Sequence, residues 1–468
     1  MGIFRVSTLV ERDMSDFSTH SKEELLLVVV QQQEMIALLL KQIEELKAEI
    51  AHLKGGGKTK PPLPDWVQAN TKKPEALQQE KPPRKKREQS FVRLREKPTE
   101  TVVHACTECP NCGRTLAEGS IRSKRQIVEL PEVAVRVVEH LVMERYCGVC
   151  RKRCTPHPDL TEQAVGQSRF GPRVHSLVAY LRFVGRLPVK GIASLLSGYF
   201  HLAVSEGEIV ALLDRVARLG RGEYDALLLR LRGSAYVHGD ETGWREAGQN
   251  GYLWSFSNSD TSYFVYPKSR AGHVVTDVLG EGYQGIVVSD FYGGYNAHYG
   301  LHQRCWVHLL RDVHKLKESF PTEGVRSWCQ ELRLLYDAGK SFSSDVVRAR
   351  VAARLSFQRK LNALCSPYVD TNLPQSVLCK RLLQFEGEMF TFVEYPEVPS
   401  ENNFAERMVR PRVIARKISG GTRSEAGSSV MAVLSSLFST WCLRGEECFS
   451  SCLKMLKEAQ QESLPQSA

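Results

Sequence analysis

Two strand-like runs that each close on an aspartate constrain this chain more than any other feature. AYVHGDETGW ends its alternating stretch at Asp240, and GIVVSDFYGGY does the same at Asp290. SAYVHGD, YLWSFS, SYFVYP and GIVVSD read as strands, with a short helix, AGHVVTDVLG, before the last. LHQRC is a candidate fifth strand and runs into the helix WVHLLRDVHKLKES. Strands interleaved with helices predict an α/β fold around one sheet. Residues 323–387 read as largely helical and separate Asp290 from Glu406, which lies on the arginine-studded helix ENNFAERMVRPRVIARK.

Two carboxylates at strand ends and one on a later helix suit a particular chemistry. Phosphodiester cleavage needs an activated water or 3′-hydroxyl and a stabilised leaving oxygen, and two hard cations about 4 Å apart serve both ends of an in-line displacement. Magnesium takes oxygen ligands and keeps some of its waters, so a few carboxylates suffice. Asp240, Asp290 and Glu406 are therefore the candidate catalytic residues and ligands of two Mg²⁺ ions, or Mn²⁺. Side chains alternate along a strand, so Asp240 and Glu241 point to opposite faces, and Glu241 is expected against a helix or solvent. Glu401 and Glu406 stand about 140° apart on a helix and cannot both face the ions. Glu401 sits at the helix start, where the dipole alone explains a carboxylate, so Glu406 is favoured.

Upstream, residues 22–54 carry a heptad. Val29, Ile36, Ile43 and Ile50 share one seam position; Leu25, Leu39, Leu46 and Leu53 share the other, with Gln32 as the exception. β-Branched residues at a and leucine at d predict a parallel two-stranded zipper and hence a homodimer. Residues 55–100 read as a basic flexible linker, with PPRKKR at 82–87. Of thirteen cysteines, six fall between Cys106 and Cys154. CPNC and CGVC place Cys109, Cys112, Cys147 and Cys150 as a four-thiolate structural Zn²⁺ site, with strands expected in the segment between them. Cys106 and Cys154 are rival ligands, set aside because Pro110 and Gly113 favour a knuckle turn at 109–112. Residues 165–225 form a helical segment similar to a helix-turn-helix, its last helix opened by the capping-box pair Ser205 and Glu208. No secretory signal and no run of 18 apolar residues is visible, so a reducing cytosol without a membrane is expected.

The net charge of +10 favours a polyanionic partner. Arg407, Arg410, Arg412, Arg416 and Lys417 crowd beside Glu406 and are the candidate phosphate contacts; Arg304, Arg311, Lys315 and Lys317 are weaker ones. Trp244, Tyr292 and Tyr295 lie near the acids, where core packing is a better use for them than stacking on a base. Cys305 and His308 are three apart at a strand-to-helix junction; two ligands make no zinc site, so they read first as a small core cysteine and a hydrogen-bonded histidine, with a supporting role beside the catalytic ions as the alternative.

ENNFAERMVRPRVIARKISGGTRSEAG resembles the C-terminal signature of transposases of the insertion sequence 66 group, and HGDETGW and SDFYGGYNAHYGLHQRCWVHLLRD resemble that family's central domain. The resemblance covers roughly residues 22–460. It implies a ribonuclease-H-like mixed sheet with a helical insertion, and it matches Asp240, Asp290 and Glu406 to the family's three acids. It also implies cleavage at terminal inverted repeats, joining of 3′-hydroxyl ends to target DNA, and helper proteins encoded by the same element in the prokaryotic cytoplasm and nucleoid. The expected layout is coiled coil 22–54, linker 55–100, zinc module 101–160, helical DNA-binding-like domain 165–225, catalytic domain 230–424 with an insertion at about 320–390, and a C-terminal helical element 425–465. The competing readings are a zinc-containing DNA-binding protein without catalysis and a related ribonuclease-H-like nuclease.

Overall fold

Alternating apolar residues build the central sheet. The computed structural model describes residues 33, 36, 37, 39–41, 43, 44 and 96–462. The chain divides into two units, 1–128 and 129–468. In the first, Ile36, Leu39 and Ile43 of the heptad are helical and exposed. The other seam positions and the basic run 82–87 lie outside the described residues. Residues 96–128 form no helix or regular strand beyond a single bridge between Glu108 and Thr115.

In the second unit, a small antiparallel pair, β1 (Arg145–Cys147) and β2 (Lys152–Cys154), comes first. The strands expected between the two cysteine knuckles do not form. Val135, Val137, Val138, Leu141 and Val142 are exposed, and an extended segment without a neighbouring strand has no ladder to complete.

The main sheet has five strands, β3 (Tyr236–Glu246), β4 (Gln249–Ser257), β5 (Ser262–Val265), β6 (Ile286–Ser289) and β7 (His302–Arg304), in the order β5-β4-β3-β6-β7. β3, β4 and β5 are antiparallel; β6 and β7 continue the sheet parallel to β3. This mixed sheet fits a ribonuclease-H-like α/β fold. Ala247 and Gly248, both at positive φ, make the two-residue turn between β3 and β4, the conformation that matches strand twist in a tight hairpin.

Among the described residues of the second unit, four helices precede the sheet: α1 (Pro172–Phe183), α2 (Val189–Phe200), α3 (Glu206–Leu219) and α4 (Arg221–Arg232). Pro172 opens α1, where its fixed φ is already helical. Ser205 and Glu208 complete both hydrogen bonds of the capping box on α3. α5 (His273–Leu279) links β5 to β6. After β7 come α6 (Trp306–Ser319), α7 (Glu323–Ser341), α8 (Val347–Cys365), α9 (Ser376–Gln384) and two short turns of helix, α10 (Glu386–Met389) and α11 (Thr391–Glu394). The chain then forms α12 (Asn403–Ser419), α13 (Glu425–Leu443) and α14 (Cys448–Glu462).

Two large apolar cores result among the described residues, beside a small cluster of Ile286, Val288 and Val398. One is the insertion's own, built on Trp306, Trp328, Leu361, Met389 and Phe390. The other is continuous from α1, α3 and α4 through the sheet to α13 and α14, joining Val178, Ile209, Leu227, Leu253, Phe256, Phe264, Leu434 and Leu456. The helical segment 165–225 and the C-terminal helices therefore share one interior with the sheet. A Cβ at Gly220 would lie 2.6 Å from Leu437 Cδ1, so the α3–α4 corner can press on α13 only as glycine. α13 is long and apolar enough to cross a membrane, yet most of it is buried in this core.

Candidate active site

The register of β3 and β6 brings the two aspartates together. His238 pairs with Val288 in parallel, and Asp240 and Asp290 each lie two residues further on. Asp290 follows the last residue of β6. Asp240, expected at a strand end, lies inside β3, which continues to Glu246 in pairing with β4. The sequence TGWRE keeps alternating, and β4 supplies the partner. What ends at His238 is only the pairing with β6.

Alternation puts Asp240 and Glu241 on opposite faces, as expected. Glu241 is buried, however, with its side chain 3% exposed. It accepts hydrogen bonds from Tyr295 Oη at 2.6 Å and Arg270 Nη2 at 2.7 Å. Gly239 admits that tyrosine, since a Cβ there would lie 2.4 Å from Tyr295 Cε1. Asp240 Oδ1 accepts from the Glu241 N–H at 3.0 Å, and Asp290 Oδ1 from the Tyr292 N–H at 2.9 Å.

Glu406 comes from the first turns of α12, whereas Glu401 precedes the helix. Glu406 Oε1 lies 3.2 Å from His308 Nε2 and 3.3 Å from Arg311 Nη1, both on α6. The Cys-x-x-His pair thus splits its tasks: His308 meets the third acid, and Cys305 is fully buried at the head of α6. Burial raises the Asp240 carboxyl to about 7, and the neighbouring charges of Glu241, Asp290 and Glu406 push the same way. Among the described residues no cation pairs with Asp240 or Asp290.

Asp240 and Asp290 are oxygen donors without an ion-pair partner among the described residues, the ligand type a hard divalent cation prefers. Among the described residues no three His, Cys, Asp or Glu side chains are yet gathered to hold an ion, and Glu406 is engaged by His308 and Arg311.

Three of the basic candidates have other tasks. Arg412 is 3% exposed. It donates to Phe183 O, Ser435 O and Ser439 Oγ and lies over the rings of Phe183 and Phe264, so it belongs to the core where α12 meets α1 and α13. Arg304 is fully buried and holds the Asp290 loop, donating to Asp290 O at 3.0 Å, Ser289 Oγ at 3.1 Å and Asn296 Oδ1 at 2.6 Å. Arg416 is half-buried and donates to Thr242 Oγ1 and Gly243 O on β3. Arg407, Arg410 and Lys417 are exposed. Trp244 and Tyr295 are core residues, while Tyr292 lies under Arg270, whose guanidinium is 3.9 Å from the ring centre.

Sequence reasoning passed over Asn402, which is 1% exposed. A polar residue just before a helix that carries an acid is the signal that could have found it. Of the zinc candidates, Cys109 and Cys112 fall in the first unit and Cys147 and Cys150 in the second. Each pair forms a knuckle: Gly113 N donates to Cys109 O at 2.9 Å, and Cys150 N to Cys147 Sγ at 3.4 Å. Backbone N–H groups lower the thiols of Cys109 and Cys147, the protonation behaviour a metal-binding thiolate needs.

The family described as "Transposase IS66 family" matches residues 167–430. "Uncharacterized protein y4jO" of Sinorhizobium fredii (strain NBRC 101917 / NGR234) is 31% identical over 147 residues, 30% of this chain. The chain spans 43% of the length of that relative.

Proposed function

From the premise that this chain belongs to the Transposase IS66 family, we propose that it is a DNA transposase working through Asp240, Asp290 and Glu406. It cleaves at the terminal inverted repeats of an insertion element and joins the freed 3′-hydroxyl ends to target DNA. The observation that carries this reading is electrostatic and geometric: two aspartates level on adjacent parallel strands, with Glu406 near enough to raise the Asp240 carboxyl. Two Mg²⁺ or Mn²⁺ ions held by the three acids would activate the attacking oxygen and stabilise the leaving one.

The chain's own residues do the rest. Arg304 fixes the loop that presents Asp290. Arg270 and Tyr295 neutralise and hold Glu241, so that the charge next to Asp240 is braced on the far face of the sheet. Arg407, Arg410 and Lys417, exposed beside Glu406, are the groups available to phosphates. In this reading the zipper 22–54 makes a homodimer, and Cys109, Cys112, Cys147 and Cys150 hold a structural Zn²⁺. Helper proteins of the element assist in the cytoplasm.

The test is nicking of a repeat-ended duplex with Mg²⁺. Asp240→Asn lowers cleavage roughly 1000-fold or more while leaving end binding intact. Cleavage by that variant at the wild-type rate sinks the assignment of Asp240. Binding without cleavage by the wild type favours a zinc-containing DNA-binding protein, and cleavage without joining favours a related nuclease.

A further inference from the structure

Three segments bring in the three acids, and they meet at one residue, Asn402, through its side chain and its backbone. Asn402 Nδ2 donates to Gly239 O at 2.6 Å, the carbonyl just before Asp240. Asn402 N donates to Cys305 Sγ at 3.1 Å. Cys305 N in turn donates to Ser289 O at 2.8 Å, the carbonyl just before Asp290. Asn402 O accepts from Glu406 N at 3.4 Å, within the first turn of α12. A line of hydrogen bonds therefore runs Gly239–Asn402–Cys305–Ser289 and touches the residue preceding each aspartate and the helix of the glutamate.

The orientation of the amide is fixed. Gly239 O can only accept, so Nδ2 must face it, and Oδ1 must accept from His238 Nδ1 at 2.8 Å. His238 is 2% exposed, and its Nδ1 is the donor to Oδ1. Every polar atom of Asn402, which is 1% exposed, thus has a hydrogen-bond partner.

We propose that Asn402 is a positioning residue that holds Asp240, Asp290 and Glu406 in register for divalent-ion binding, with Cys305 as its link to the Asp290 strand. Neither touches the reacting atoms. This rests on the ion-dependent reading above. Residues that orient metal ligands from behind typically contribute 10–100-fold to affinity, and aspartate shifts of a fraction of an ångström are enough to lose it.

The readout is Mn²⁺ bound by the full-length protein, measured by electron paramagnetic resonance of the free ion, beside nicking and end binding. Asn402→Ala is expected to weaken Mn²⁺ roughly 10–100-fold with end binding retained. Leu434→Ala, which opens a cavity in the main core at a residue outside the line, serves as a control of comparable stability loss and should leave Mn²⁺ affinity unchanged. Cys305→Ala is expected to weaken Mn²⁺, and Cys305→Ser, which keeps an acceptor for Asn402 N, to restore most of it. That pair decides the matter should Asn402→Ala not fold. Mn²⁺ affinity in Asn402→Ala within twofold of wild type, or equal losses in Cys305→Ala and Cys305→Ser, overturns the clamp alone. Wild-type protein that binds no Mn²⁺ overturns the ion reading and the clamp with it.

Discussion

Asp240 is a carboxyl group that the folded, ion-free chain holds at an energetic disadvantage. Its value is about 7 against 3.8 for the free side chain, through burial first and then Glu241, Asp290 and Glu406. Between those values the folded state keeps a proton that the unfolded state has released, so stability is expected to fall as pH rises from about 4 to 7. The loss is on the order of 2–4 kcal/mol. Urea melts of chelator-treated protein across this range check it, and Asp240→Asn should remove most of the slope. The arginines of α12 divide at the same scale. Arg407→Ala with Arg410→Ala should leave stability within about 0.5 kcal/mol and reduce the salt dependence of end binding by a slope of about 2. Arg412→Ala should instead cost about 2–4 kcal/mol, by emptying a packed site among Phe183, Phe264 and α13. Equal loss of DNA affinity at normal stability in both variants would contradict the division.

At the scale of elements, capping and register carry the argument. Ser205 accepts from Glu208 N at 3.2 Å, and Glu208 Oε2 accepts from Ser205 N at 2.9 Å. Ser205→Ala is expected to cost about 1 kcal/mol. Because α3 shares its interior with the sheet, that loss should appear in the single main unfolding transition; a separate early transition would mean that α3 folds apart. That two strands carry Asp240 and Asp290 was legible from their alternation; that β3 and β6 are parallel neighbours in this register was not, since it rests on long-range pairing. The length of β3 was not, since its last residues are held by β4 across the Ala247–Gly248 turn. The strands expected between the knuckles failed for the complementary reason. Their alternation is present, but no neighbouring strand is there to pair with them.

For the whole molecule, the continuous core from α1 to α14 predicts that the sheet cannot stand without the helices before it. A fragment beginning at residue 230 would uncover Tyr263, Leu437, Phe438 and Trp441, which are buried in the intact chain against Tyr224, Gly220, Phe183 and Glu223. It is expected to be insoluble or to lack a cooperative melt, and a soluble fragment with a sharp transition would refute the shared core. What the sequence determined by itself is what short-range periodicity and residue chemistry can encode: the α/β class, the strand and helix order around the acids, and the candidacy of Asp240, Asp290 and Glu406. What only the tertiary structure decided is which faces meet. Arg410 and Arg412 are two residues apart on one helix, about 200° around its axis, and one is exposed while the other is buried. Nothing local distinguishes them; the packing of α12 on α1 and α13 does. The same holds for Asn402, whose partners at Gly239 and Cys305 are distant in the chain and adjacent only because the sheet and two helices converge there.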